Sequence, residues 1–417
     1  MIGSAELERQ RALRAKLARL VGAPEPVELA ALGAADAPID VVVTHAEVGV
    51  RHGTGVLLGR LFRGRADVLV IRSREWYGGE QSVPEGVHLA HGDAPVRRAV
   101  FERVADALRG RTVRRILCVP YFPDEAWTAI ALREIHGAPL CTFVMDDQNI
   151  EHPGIPDALL RDLLDRSDLR LAISTELRDA YGAKFGHAFS FVPPVVEPEL
   201  ILRRPEVPGG EVLAARRGAI VGNIWGPAWL EGLRRVVRGS GIDLDWYSNL
   251  GNRWITLDPA ALAADGIRLR GSPEDGELIS TLRRTPYVVV PSGTGAPDDE
   301  HRFIARLSLP SKIPFVLATS HAPIVVVGEP TDAAARFVRT AGIGVVVPYD
   351  RAQLAEAVAE VCSPEAQARM RGRAAALAPA LSSEGALDWI WRSLAARGPV
   401  DDRWGGLARV EEDAARG

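Results

Sequence analysis

The sequence predicts two doubly wound α/β domains facing one cleft, and three observations lead there. Apolar runs of strand length alternate with helix-length segments between residues 39 and 397. Near-continuous apolar strands of that kind belong to parallel sheets covered by helices on both faces. The alternation stops at a Pro/Gly-rich stretch, RRPEVPGGEVL (203–213), and then begins again. A chain of 417 residues is also too long for one ordinary core.

The elements follow in order. Residues 4–21 read as an amphipathic helix carrying Leu7, Leu13, Leu17 and Leu20, within an N-terminal arm spanning 1–36. A first domain, 37–205, opens with IDVVVT, a Gly-containing loop and a helix start. ADVLVIRS, RRILCVPYFP, PLCTFVMDDQN and LRLAIS are its further strands, and helices fall between them. Gly137 closes one of these helices. A second domain, 206–380, opens with RRGAIVGNIW. IDLDWYSN, IRLRGS, YVVVPSG, APIVVVG and GIGVVVP continue it. Residues 351–378 and 383–397 read as helices, and 401–417 as a loosely held tail.

Composition removes several classes of function. With 47% hydrophobic and 25% charged residues the chain reads as soluble and globular. A net charge of −4 offers no bulk attraction to nucleic acid or anionic lipid. Cys118, Cys141 and Cys362 are widely spaced, so neither a disulfide framework nor zinc spacing is present, and a reducing cytoplasmic setting fits. The first twenty residues lack the apolar core of a signal peptide. No run is apolar enough for a transmembrane helix. Self-association is left open.

Ligands of doubly wound sheets bind beyond the carboxyl ends of strands, so the polar residues there are the site candidates. Lys312 stands out, because 50 basic side chains include only three lysines, Lys16, Lys184 and Lys312. It follows Ser311 at a helix start, where a serine cap, free N–H groups and a mobile ammonium suit a diphosphate. In VGNIWGPAW, Gly222 and Asn223 permit close approach to phosphate, and Trp225 is placed to cover a base or sugar. In PSGTG, Ser292, Gly293 and Thr294 can form an anion-binding nest of amides. In GVRHGTG, Gly53 and Gly55 let backbone approach a ligand, and His52 beside them is a better catalytic candidate than His45. Tyr121, Asp124 and Glu125 end another strand and suit sugar hydroxyls. Asp146 and Asp147, past the strand after that, form an adjacent carboxylate pair. Each candidate also has a purely structural reading as a cap, a turn or a packed ring.

Residues 309–348, LPSKIPFVLATSHAPIVVVGEPTDAAARFVRTAGIGVVVP, resemble the donor-binding segment of family-4-type GT-B glycosyltransferases. HGTGVLLGRLF, RSDLRLAISTELRDAYG and FVPPVVEP resemble first-domain segments of those enzymes more loosely. The resemblance implies a GT-B architecture with an acceptor domain, a donor domain, and a last helix (381–400) crossing back to the first. It implies a nucleotide-diphosphate sugar, UDP- or GDP-linked, as substrate. It further implies transfer with retention, no metal or other cofactor, and Asp146 or Asp147 orienting or deprotonating the acceptor hydroxyl. There are departures. The family's ribose-side acid falls at Phe315, its Gly falls at Ser320 with one extra residue before Pro323, and VGNIWGPAW lacks the diphosphate-clamping Arg and Lys. Two other readings share this fold: an NDP-sugar 2-epimerase, and a non-catalytic subunit serving a partner glycosyltransferase.

Overall fold

The computed structural model describes residues 38–83, 85–92, 95–248, 255–296 and 299–408. The helix expected over 4–21 lies outside them. The chain divides into two compact units. The first takes the chain through Ile173, Leu177–Ser190 and Gly385–Asp401; the second takes Ser174–Glu176, Phe191–Glu384 and Asp402 onward.

The first unit holds a seven-stranded sheet. Its strands are β1 (Ile39–Thr44), β2 (Val68–Arg72), β3 (Glu85–His88), β4 (Val113–Cys118), β5 (Leu140–Val144), β6 (Leu169–Ala172) and β7 (Ser190–Phe191). Their order is β3-β2-β1-β4-β5-β6-β7. Val41 pairs with Leu69 on one side and Ile116 on the other, both in parallel register. Helices α1 (Gly53–Leu61), α2 (Arg97–Ala107), α3 (Pro123–His136), α4 (Asp157–Arg166) and α5 (Thr175–Phe185) connect the strands. Val41, Val42 and Val43 are fully buried, as strands covered on both faces must be.

The second unit repeats the scheme with six strands. They are β8 (Arg217–Val221), β9 (Asp243–Tyr247), β10 (Ile267–Gly271), β11 (Val288–Pro291), β12 (Ile324–Val327) and β13 (Gly344–Val347), ordered β10-β9-β8-β11-β12-β13. Helix α6 (Gly210–Ala214) precedes this sheet. Helices α7 (Pro227–Val237), α8 (Pro259–Ala264), α9 (Asp275–Arg284), α10 (Arg302–Leu307), α11 (Lys312–Thr319), α12 (Ala333–Ala341), α13 (Arg351–Val361) and α14 (Pro364–Leu377) follow in chain order. Trp246, Leu233 and Val325 belong to its buried core. In both units the strand order reverses beside the first strand, so the switch points lie at the carboxyl ends of β1 and β4, and of β8 and β11.

The boundaries differ from those read in the sequence. The first falls at 190/191, ahead of the Pro/Gly stretch. Residues 192–202 pack in the second unit, where the Leu202 amide donates to Ala318 O and the Val196 amide to Leu381 O. Helix α15 (Ala386–Ala396) groups with the first unit. There Trp391 meets Phe62 edge-on at 6.1 Å, and the Arg115 guanidinium lies 4.5 Å above the Trp391 ring. The tail expected from residue 401 is packed as far as helix α16 (Gly405–Ala408), because Trp404 is buried and donates to Ala380 O at 3.0 Å. No helix among the described residues is long and apolar enough to cross a membrane.

Candidate functional site

At the switch point of the first unit, the loops after β1, β2, β4 and β5 bring side chains together. The Tyr121 hydroxyl donates to Asp146 Oδ2 at 2.7 Å and sits 2.6 Å from Thr54 Oγ1. Since Tyr121 spends its proton on Asp146, the Thr54 hydroxyl donates to Tyr121. Burial, followed by the Asp146 charge, pushes the Tyr121 pKa well up, so the phenol stays protonated. The His45 ring centroid lies 3.9 Å from that of Tyr121. His45 is 5% exposed, and its Nδ1 is a buried atom with no hydrogen-bond partner. Burial, then the nearby His52 and Arg74, hold His45 neutral. A buried polar atom without a partner costs free energy unless water or a ligand supplies one.

The acids read as sugar or catalytic groups have other work. Asp147 is 0% exposed and takes the amides of Asn149, Ile150 and Glu151 at 3.0, 2.8 and 2.7 Å, together with the Tyr181 hydroxyl at 3.1 Å. It holds its own loop closed. Glu125 accepts from the Tyr121 and Phe122 amides at 3.0 and 2.5 Å and from the Ser73 hydroxyl. It completes the N-terminal cap of α3, and burial pushes its pKa up to about 7. Asp124 accepts from the His91 amide at 2.5 Å and pairs with Arg74 at 3.2 Å.

His52, expected to be catalytic, is the N-cap of α1. Its Nδ1 accepts from the Gly55 amide at 3.3 Å and its Nε2 donates to Glu47 O at 2.8 Å. Both ring nitrogens are therefore occupied. Gly55 is small because its own loop demands it: a Cβ there would stand 2.7 Å from Gly49 O and 2.9 Å from Glu47 O. Gly53 is the exposed first residue of α1. The sequence reading ranked His45 below His52 and missed Glu47. Glu47 is buried and grips the amides of Trp76, Tyr77 and Gly79 at 3.1, 2.9 and 2.9 Å. Burial opposes its charge, but those amides outweigh burial and hold its pKa below the usual value.

In the second unit the loop after β8 meets the start of α11. Gly222 has φ +71, a left-handed conformation that suits glycine, and its carbonyl accepts from Trp246 Nε1 at 2.8 Å. The turn leaves Asn223 O 2.6 Å from Lys312 Nζ. A Cβ at Gly222 would stand 3.9 Å from the same Nζ, so the lysine crosses the turn closely. Among the described residues no carboxylate pairs with Lys312, and burial pulls its pKa down to about 8. Ser311 precedes α11 in helical backbone geometry and makes no side-chain cap. The expected serine cap is absent, and the Ser308 hydroxyl is buried without a partner.

The nest expected over 292–294 turns inward. The Ser292 amide donates to Val327 O at 2.8 Å, and the Thr294 amide donates to Asp299 Oδ2 at 2.9 Å. The Ser292 hydroxyl donates to Asp332 at 2.6 Å, and burial pushes the Asp332 pKa up to about 6. Gly293 sits tightly, since a Cβ there would meet that of Ala305 at 3.1 Å. Asp299 is 2% exposed and gathers this loop, accepting also from Trp229 Nε1 at 2.8 Å and the His301 amide at 3.0 Å. Trp225 packs against the core of the unit. The second unit therefore unites Gly222, Asn223 and Lys312, and turns Ser292 and Thr294 into scaffold. Among the described residues no group of three or more His, Cys, Asp or Glu is arranged to hold a metal.

No protein-family model matches the chain, and no curated protein does either. Solved structures match its fold. Anabaena HepE in complex with UDP superposes with a TM-score of 0.62 at 13% identity, over 86% of this chain and 100% of that one. The chain has the GT-B fold. Other GT-B structures agree with this at similar identity. A putative UDP-N-acetylglucosamine 2-epimerase from Listeria monocytogenes matches with a TM-score of 0.53 at 11% identity, over 88% of this chain and 98% of that one. An O-GlcNAc transferase mutant from Thermobaculum terrenum matches with a TM-score of 0.50 at 12% identity, over 96% of this chain and 74% of that one.

Proposed function

We propose that the chain is a cytoplasmic glycosyltransferase that moves a sugar from a nucleotide-diphosphate sugar to an acceptor hydroxyl. The observation that carries this is Lys312: a half-buried ammonium with no carboxylate partner among the described residues, at the first turn of a helix and against a left-handed glycine turn. Among the described residues such a cation has no counter-ion, and a diphosphate is a ligand of matching charge and reach. The UDP-bound GT-B neighbour supports UDP as the nucleotide.

In this reading Lys312 stabilises negative charge as it develops on the leaving diphosphate, the kind of electrostatic contribution that usually dominates. Tyr121, held by Asp146 and Thr54, and His45 Nδ1 orient the acceptor hydroxyl. The bond from the anomeric carbon to the phosphate oxygen breaks. The acceptor oxygen bonds to that carbon on the same face, and the hydroxyl proton passes to the departing phosphate oxygen. Configuration is thereby retained, and Lys312 supplies positive charge where a metal otherwise would.

Thermal shifts with UDP, GDP, ADP, CDP and dTDP, each with and without magnesium, test the reading. A ligand present at about 100 times its dissociation constant adds roughly 2.7 kcal/mol. One nucleotide should stabilise the protein without magnesium, and a set of inert nucleotides would sink the proposal. The epimerase-type neighbour favours a second reading, an NDP-sugar 2-epimerase, which needs no acceptor. Product analysis with the nucleotide sugar alone separates the two. Binding without turnover would point to a non-catalytic subunit serving a partner glycosyltransferase.

A further inference from the structure

The first unit has a groove of about 530 Å³ beside the amino ends of β5 and β6, away from the switch point at the carboxyl ends of its strands. Its lining is charged almost throughout. Arg133 and Glu134 come from the last turn of α3, Asp165 and Arg166 from that of α4, Arg170 from β6, and Arg397 from the residue that ends α15.

The carboxylates of the groove are committed. Asp168 accepts from the Leu140 amide at 3.1 Å and pairs with Arg133 at 3.2 Å and with Arg397 Nε at 3.4 Å. Glu134 accepts from Arg166 Nε at 2.7 Å, and Asp165 pairs with His187 at 2.8 Å. The guanidiniums are not all matched. Arg170 is half-buried, and its Nε and Nη2 both donate to the Leu164 carbonyl, at 2.9 and 2.6 Å. It pairs with no carboxylate among the described residues, and its Nη1 has no hydrogen-bond partner among them. Burial pulls its pKa down in spite of the nearby Asp165 and Asp168. Arg397 is largely exposed, so most of its guanidinium is open to solvent. It also occupies the left-handed position that ends α15, at φ +56, where glycine is usual. A guanidinium presents its donors in a planar fork that matches the oxygens of a carboxylate or a phosphate. Arg170 and Arg397 thus bring unspent donors to a groove whose own acids are already engaged.

We propose that this groove is an oxyanion site, separate from the switch-point site, that takes a small metabolite bearing a phosphate or carboxylate group, with the acidic oxygens on Arg170 and Arg397. Calorimetric titration at fixed ionic strength tests it, with inorganic phosphate and citrate as probes of the full chain, Arg170→Gln and Arg397→Gln. Glutamine keeps a donor for the Leu164 carbonyl and removes the charge, and Arg397 is exposed, so Arg397→Gln decides the matter even if Arg170→Gln fails to fold. Saturable binding of at least one probe is expected, weakened about tenfold by either substitution. Lys312→Ala should leave that affinity unchanged, which separates the groove from the second-unit site. Binding of phosphate alone would mark a phosphorylated ligand, and binding of citrate alone a carboxylate one. No saturable binding of either probe, or an affinity that either folded variant leaves unchanged, would overturn the proposal.

Discussion

The two units use the same sheet scheme and leave different things at its switch point. In the first, strand-end acids are drawn into the loops, next to a cluster of half-buried aromatic rings around His45. In the second, Asp299 and Asp332 are drawn in likewise, yet Lys312 stands without a carboxylate among the described residues. In both, acids hold the scaffold rather than the ligand. What distinguishes the units is what stands beside the scaffold: packed aromatic rings in one, and in the other a half-buried lysine with no carboxylate partner among the described residues.

The largest expected effects test the shared half of this comparison. Asp147→Ala and Asp299→Ala each strand several buried donors, so each should cost about 3 kcal/mol in denaturant unfolding. A cost below about 1 kcal/mol would show that these acids are not scaffold. Next comes the half that differs. Lys312→Ala should weaken UDP binding by about thirtyfold, the loss expected for one charge-assisted hydrogen bond worth about 2 kcal/mol.

The pH dependence sharpens the point. A lysine pKa lowered to about 8 means that the ammonium is lost on the alkaline side. UDP affinity of the wild type should therefore be level below about pH 8 and fall as pH rises further, while Lys312→Ala shows no such fall. A decline shared by both proteins would assign it to another group. The smallest effect concerns His52. As a helix cap its replacement by Ala should cost about 1 kcal/mol of stability and leave UDP affinity unchanged.

Much of the fold was legible because both sheets are built from apolar runs such as VVV at 41–43 and IVVV at 324–327. The edges were not. Strand β3 is Glu-Gly-Val-His with alternate residues exposed, and β7 is two residues long, so neither carries an apolar run. Within the sites, Lys312 was legible through rarity and position. The direction of the acids was partly legible. Pro123 followed by Glu125 is a helix-start pattern that assigns Glu125 to capping, and Asp147 two residues before Asn149 is an Asx-turn pattern. Glu47 had no such signal, because its partners lie 29 to 32 residues away and meet it only once β1 and β2 pair. His45 looked like His52 in the sequence; only the fold gives partners to both nitrogens of His52 and leaves Nδ1 of His45 without one. Ser320, where the resemblance puts a glycine, has φ −132; the left-handed residue is the next one, His321, at φ +57 and fully buried.

The central claim is that Lys312 receives a nucleotide diphosphate. Calorimetric titration of UDP into the wild type and Lys312→Ala at pH 7, without magnesium, tests it most directly. The account predicts binding by the wild type and affinity about thirtyfold weaker in the variant. Equal affinities, or no UDP binding by the wild type, would contradict it.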